Sequence, residues 1–238
     1  MAPASFANKV AVVTGGASGI GAAVVDVLRG GGATVEIADT AADRSRDRID
    51  VTSAGQVEGF AGRVRQEHRH CDILINCAGA IAVGTAVQCT ESDWDRVFAV
   101  NVRAAWLMSK HFLPLMDGGA VVNVSSGAGL RAIPDMAAYV AAKHAVVGLT
   151  RAMAIDHAGQ GVRVNCVCPG LVDTPLAHKA QELRPSASQE AVDGFEGYLI
   201  KRAAQPTDLA DTICFLASEA ARHITGATLA VDGGRCMH

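Results

Sequence analysis

Aromatic side chains are scarce in this sequence: Phe, Trp and Tyr together make up 4% of its 238 residues. With half of the residues hydrophobic, the core has to be built from Ala, Val, Ile and Leu. An excess of basic charge is missing too, since the formal net charge is −3. That balance argues against nucleic acid and against an anionic membrane surface as partners. Long apolar runs are also missing. The longest uncharged stretch, Val10 to Val25, is interrupted by four glycines, Thr14 and Ser18, too short and too polar to span a bilayer. The opening MAPASFANKV has no charged segment followed by an apolar one, so a soluble cytoplasmic protein is expected.

Cysteines are present but not in pairs. The seven (Cys71, Cys77, Cys89, Cys166, Cys168, Cys214 and Cys236) are odd in number, scattered and without a CxxC spacing. They read as reduced, partly buried small hydrophobes. His68, His70 and Cys71 come nearest to a metal motif, on a charged helix end. Cys166 and Cys168 alternate along a strand-like run and share a face, with no third ligand apparent. No metal is expected.

What the chain does have is alternation. KVAVVT (9–14), TVEIA (34–38), DILIN (72–76), AVVNVSS (120–126), VRVNCV (162–167) and ATLAVDG (227–233) are nearly continuous β-branched runs. Such runs suit strands covered on both faces. Helical patterns fall between them, near 19–31, 56–70, 91–116, 136–158 and 206–221. The fold class expected is α/β, a doubly wound parallel sheet in a single domain, 1–238. The one long irregular region, 173–204, leaves the C-terminal end of a strand, where such sheets place a substrate-binding lid.

After the first strand comes TGGASGIG, with the spacing Gly15-x-x-x-Gly19-x-Gly21 rather than GxGxxG. Glycines there permit a tight turn and close backbone approach, and the following helix N-terminus offers N–H groups to a pyrophosphate. Asp39 ends the second strand, eighteen positions after Gly21, where a carboxylate can accept hydrogen bonds from an adenosine ribose. A plain strand–helix turn and an ordinary turn aspartate are the simpler readings of each feature alone; their joint order favours a dinucleotide. Further on, AAYVAAKHAVVG puts Tyr139 and Lys143 one turn apart on one helix face. By itself that pair is more simply a core-edge tyrosine with a snorkelling lysine.

Over nearly its whole length the sequence resembles the short-chain dehydrogenase/reductase family. TGGASGIG resembles that family's glycine turn, Asp50-Val51 its adenine-contacting strand end, and NCAG (76–79) its Asn-Asn-Ala-Gly. Asn101 in FAVNV, Ser126 in NVSS, Tyr139 and Lys143 in YVAAK, Pro169-Gly170 in CPGLVDTP and the terminal AVDGG complete the series in order. Cys77 departs from the second Asn, and the stretch 40–48 is shortened.

The resemblance implies a Rossmann-type fold, an NAD-dependent oxidoreductase of a secondary alcohol or ketone, and a catalytic set of Asn101, Ser126, Tyr139 and Lys143. It puts Ser126 after a fifth strand, beside Tyr139. A phenol is a poor base at neutral pH, and a nearby ammonium favours its phenolate. Asn101 would bind a water linking Lys143 to solvent. Cofactor contacts are implied for Gly15, Ser18, Gly19, Ile20, Gly21, Asp39, Asp50, Val51, Asn76, Ala78, Gly79, Pro169, Gly170, Val172 and Thr174, besides Tyr139 and Lys143. Ser126, Tyr139, Leu176, Phe195 and Tyr198 are the expected substrate contacts, with Leu183 and Leu199 as further wall candidates. His178, Lys179, Arg184, Lys201 and Arg202 meet an anionic group or form a solvated surface. The alternatives are a 3-oxoacyl thioester reductase, a cyclic dihydrodiol dehydrogenase of the dihydroxybenzoate type, and a non-catalytic dinucleotide sensor. The partners expected are a small alcohol or ketone and, for a homotetramer, copies of the same chain.

Overall fold

The structure, a computed structural model, describes residues 5–41, 48–183 and 197–237. Six strands form one sheet: β1 (Val10–Thr14), β2 (Thr34–Ala38), β3 (Ile73–Asn76), β4 (Ala120–Val124), β5 (Arg163–Pro169) and β6 (Thr228–Val231). Their order is β2-β1-β3-β4-β5-β6, and every pair is parallel. The order reverses at β1, so the chain leaves β1 and β3 in opposite directions and opens a crevice at their carboxyl ends. β1, β3 and β4 are buried along their whole length, which explains their unbroken apolar runs.

Seven α-helices are described: α1 (Gly19–Gly30), α2 (Ala54–His68), α3 (Glu91–Phe98), α4 (Ala104–Phe112), α5 (Ala137–Asp156), α6 (Pro175–Leu183) and α7 (Pro206–Ala217). Two apolar layers sandwich the sheet. One joins Val12, Leu74 and Val121 to Phe60 of α2, Phe112 of α4 and Met153 of α5. The other joins Val13, Ile75 and Val122 to Val24 and Leu28 of α1 and Ile213 of α7. Phe60 and Phe112 meet edge to face, with centroids 5.5 Å apart, a large contact in a chain so poor in rings. Among the described residues no helix is long and apolar enough to cross a membrane.

Three expectations need correction. The region 173–204, read from the sequence as irregular, carries α6 (Pro175–Leu183) at its start. The helix expected over 91–116 is broken: a π-helical turn, Ala99–Arg103, separates α3 from α4. Its cause is Asn101, whose amide donates to the Val97 carbonyl four residues back (2.8 Å) and competes with the backbone ladder. The strand end expected at Asp50-Val51 is also absent. An isolated parallel bridge, Asp39 with Arg48, stands in its place. Beyond it the Asp50 carboxylate accepts from the Thr52 N–H (2.8 Å) and hydroxyl (2.7 Å), a turn that pulls the chain out of pairing and into α2. Ser126 therefore follows the fourth strand, not a fifth. The residues 42–47 of the shortened stretch lie outside the described residues.

A polar row crosses the buried sheet. The amide of Asn76 on β3 donates to Asn123 on β4 (2.8 Å), whose own amide donates to the Thr150 hydroxyl on α5 (2.9 Å). Asn123 and Thr150 are fully buried, so each bond replaces water that has no access. Asn123→Ala strands donor and acceptor together. It should cost about 3 kcal/mol and lower the thermal midpoint by roughly 6–12 °C. Calorimetry showing a shift of a degree or less would mean that the row contributes nothing.

Candidate active site

β1 ends in Thr14, and the glycine turn follows. Gly15 adopts φ +67°, and a Cβ there would press on the Ala78 backbone at 3.0 Å. A Cβ on Gly21 would overlap the Gly15 carbonyl oxygen, so turn and helix can touch only as bare backbone. α1 then starts at Gly19 with no acidic side chain in its first turn. Its free N–H groups face the crevice, the arrangement that binds a phosphate.

Asp39 closes the far side of this turn. One carboxylate oxygen accepts from the Ala17 N–H (3.0 Å) and the other from the Ala41 N–H (2.9 Å). An ionised carboxylate accepts about four hydrogen bonds, so each oxygen retains capacity for a ribose hydroxyl. The bare-backbone cradle and this half-satisfied carboxylate fit a dinucleotide.

Ser126 stands just past β4, where its side chain accepts from the Ala128 N–H (3.1 Å) and caps the short turn Gly127–Gly129. α5 supplies the next two groups from its first two turns. Tyr139 is 8% exposed and Lys143 4%. The Lys143 ammonium donates to the Val124 carbonyl (3.1 Å) and stands 5.6 Å from the Tyr139 ring centroid. A charge so deeply buried needs partners, and one carbonyl offers only the first of three. Asn101 lies behind them, 3% exposed. Its carboxamide donates to the Ala80 carbonyl (2.8 Å) and accepts from the Ala80 N–H (3.4 Å), pinning the loop after β3. Gly79 fits between Asn101 and Lys143: a Cβ there would lie 3.4 Å from the Asn101 oxygen and 3.8 Å from the Lys143 nitrogen.

One cavity of about 470 Å³ joins these pieces. Gly15, Ser18, Gly19, Ile20 and Gly21 line one end, next to Asp39, Asp50 and Val51. Ala78 and Gly79 line its floor, and Pro169, Gly170, Val172 and Thr174 the wall opposite. Ser126, Tyr139, Lys143 and Leu176 line it as well. Asn76 does not line the cavity: it faces Asn123 and Ser109 inside the sheet, because alternation along β3 turns it toward α4. Tyr198 stands outside the residues that line this cavity; its ring packs beside Arg235, 5.6 Å from the guanidinium carbon. Phe195 lies outside the described residues, as does Arg184. His178 and Arg202 are engaged elsewhere, His178 with Asp173 (2.8 Å) and Arg202 with Asp208 (2.6 Å).

Thr14 was not anticipated. Its hydroxyl accepts from the N–H groups of both Cys77 and Ala78 (3.0 Å each), fastening the NCAG loop to the glycine turn. A hydroxyl residue ending an otherwise apolar strand directly before two glycines is the signal that would have found it. Burial pushes the Cys77 thiol up to about 12, so it stays protonated and unreactive. The His68-His70-Cys71 group disperses: His68 turns to Glu36 (3.0 Å), His70 to Asp72 (3.1 Å), and the Cys71 thiol donates to the Ile73 carbonyl. Glu36, Glu67 and His68 gather their ligand atoms within 4.8 Å, with the Arg63 guanidinium 4.0 Å from Glu36. That cation already serves the carboxylate.

Comparison with known proteins agrees with this geometry. A family model described as Enoyl-(Acyl carrier protein) reductase matches residues 15–235. The meso-2,3-butanediol dehydrogenase of Serratia marcescens is 38% identical, covering 96% of this chain and 95% of its own. The D-threitol dehydrogenase of Mycolicibacterium smegmatis is 37% identical, over 95% and 92%. The ligand-free structure of Thermoplasma acidophilum aldohexose dehydrogenase superposes with a TM-score of 0.90 at 31% identity, over 98% and 96%. With the motifs in order on a parallel doubly wound sheet, the chain belongs to the short-chain dehydrogenase/reductase family of oxidoreductases.

Proposed function

We propose that this protein is an NAD-dependent dehydrogenase that interconverts a secondary alcohol and its ketone in the cytoplasm. The observation that carries this reading is the sharing of one cavity by Ser126, Tyr139 and Lys143 with the cradle closed by Asp39. The relatives named for a diol, a polyol and an aldohexose support it. Nicotinamide, when bound, accepts or returns the hydride. Tyr139 takes the proton of the substrate hydroxyl through its phenol oxygen, or gives it to the ketone oxygen in the reverse direction. Ser126 donates to the same oxygen and stabilises its developing charge. Lys143, its ammonium 5.6 Å from the Tyr139 ring centroid, would hold the nicotinamide ribose. Asn101 fixes the Ala80 loop and leaves room for a water that carries the proton from Lys143 outward.

Tyr139→Phe removes the only transferable proton at that position. Turnover should fall about 10²–10⁴-fold while NAD affinity stays near that of the parent. Ser126→Ala should lower turnover alone, and Lys143→Met should lower turnover and weaken NAD. Appearance of reduced nicotinamide across a panel of secondary alcohols reads all three, and Tyr139→Phe retaining half its activity would remove the phenol from the mechanism.

Asp39 sets the cofactor preference. A 2′-phosphate would bring negative charge against its carboxylate, at about 4 kcal/mol per unit charge at 4 Å in a dielectric near 20. Even with solvent removing half of that, NAD should be favoured over NADP by on the order of a hundredfold in kcat/KM, and Asp39→Ala should narrow the gap. Arg44 and Arg46, the cations of the shortened stretch that could meet a 2′-phosphate, lie outside the described residues. Comparable efficiencies with both cofactors would defeat the NAD assignment and favour the thioester reductase.

We also propose a homotetramer. Trp94 stacks on Phe98 with centroids 4.6 Å apart yet remains 41% exposed, Trp106 is 45% exposed, and Ile155 on α5 is 78% exposed. Apolar surface of this kind on α3, α4 and α5 suits burial against other copies. Light scattering at micromolar concentration should give four times the chain mass; a monomer would contradict it.

A further inference from the structure

α6 lies along the catalytic end of the cavity, and its two sides differ. Leu176, Ala177 and Ala180 are half-buried and line the cavity, whereas His178, Lys179 and Glu182 are exposed. Leu176 and Ala180, one turn apart, pack against a buried apolar cluster of Ile81, Ala128, Met136 and Tyr139. Ile81 and Tyr139 line the cavity together with Leu176 and Ala180, so the cluster has one side open to it. That side adjoins the reacting groups. Leu176 brings its Cδ2 methyl 3.6 Å from the point where a Gly79 Cβ would stand, and the Lys143 nitrogen lies 3.8 Å from the same point. The hydroxyl at the start of this face is already engaged: Thr174 donates to the Val172 carbonyl (3.3 Å) and accepts from the Ala177 N–H (3.2 Å).

We propose that the carbinol carbon of the substrate bears a short alkyl group, and that Ile81, Leu176 and Ala180 bind this group beside Tyr139. This rests on the dehydrogenase reading above and narrows its substrate class. A hydroxyl placed against these three side chains gives up water and meets only carbon there, whereas an alkyl group gains by leaving water. Ala180 is the small member of the three, so a larger side chain at that position takes the place of the substituent. The preference departs from those in the names of the relatives, a diol, a polyol and an aldohexose. It is therefore a property of this chain's own wall rather than one carried over from them.

The test compares 3-pentanol with glycerol, which has the same shape but a hydroxyl in place of each terminal methyl, so either orientation presents the difference to the subsite. With NAD or NADP, whichever the parent protein uses, kcat/KM should favour 3-pentanol by about tenfold or more, the effect of leaving a hydroxyl without a partner. Leu176→Asn should lower that ratio several-fold. Ala180→Leu should lower the efficiency for 3-pentanol several-fold relative to 2-propanol, whose arms are shorter. Both are read as ratios, so that general damage cancels. Ligand-observed NMR of 3-pentanone and dihydroxyacetone reads binding without turnover: 3-pentanone should bind more tightly, and Ala180→Leu should weaken it. Selective binding of 3-pentanone with no alcohol oxidised by either cofactor would uphold the subsite and sink the dehydrogenase reading instead. Equal use of the two alcohols by the parent protein would overturn the inference. Where neither alcohol is oxidised, equal binding of the two ketones, or binding of neither, would overturn it as well.

Discussion

Six strands running one way leave six carboxyl ends on one edge of the sheet, and each return is made along a covered face. Such a sheet must bury both surfaces, so every polar group that the chain keeps inside it has to find a partner there. Asn76, Asn123 and Thr150 meet much of this demand by bonding to one another across β3, β4 and α5, although the Asn76 Oδ1 has no partner among the described residues. At the carboxyl edge the demand is relaxed, because the crevice between the exits of β1 and β3 stays open. Thr14, Asp39 and Ser126 all sit within two residues of a strand's last residue for that reason.

The buried ammonium of Lys143 draws the second layer of the site together. It reaches the Val124 carbonyl at the end of β4, while the Lys143 carbonyl accepts from the Ser125 hydroxyl (2.8 Å). Strand end and helix are thus tied twice, once through a charge and once through a hydroxyl. The second tie fixes α5 against β4 and, with it, the spacing between Ser126 and Tyr139. Gly79 leaves the space on the open side of the ammonium, and Asn101 holds the Ala80 loop that borders it.

Legibility in the sequence followed the range of the interactions. β2 was read to the residue because TVEIA is a short apolar run bounded by turn residues. The cradle was legible because its glycines, its helix and Asp39 all fall within 25 residues (39 − 15 + 1). The π-helical break at Asn101 was not, since FAVNV continues a good helical pattern and the competing amide bond is a matter of side-chain geometry. The bridge between Asp39 and Arg48 was hidden for a similar reason: IDVT has the composition of a strand, but the Asp50 side chain bends it away.

The long excursion after β5 is closed at its base by backbone alone. The Ala204 N–H donates to the Leu171 carbonyl and the Asp173 N–H to the Ala204 carbonyl, both at 2.9 Å. These bonds draw on no side chain, so whatever the intervening residues are, the two ends are returned to the sheet in the same register. The entropy of closing such a loop grows only with the logarithm of its length, about 0.6 kcal/mol for each doubling. Selection can therefore lengthen, shorten or rewrite the segment between 173 and 204 almost independently of the fold that carries it, so that change there is separable from stability.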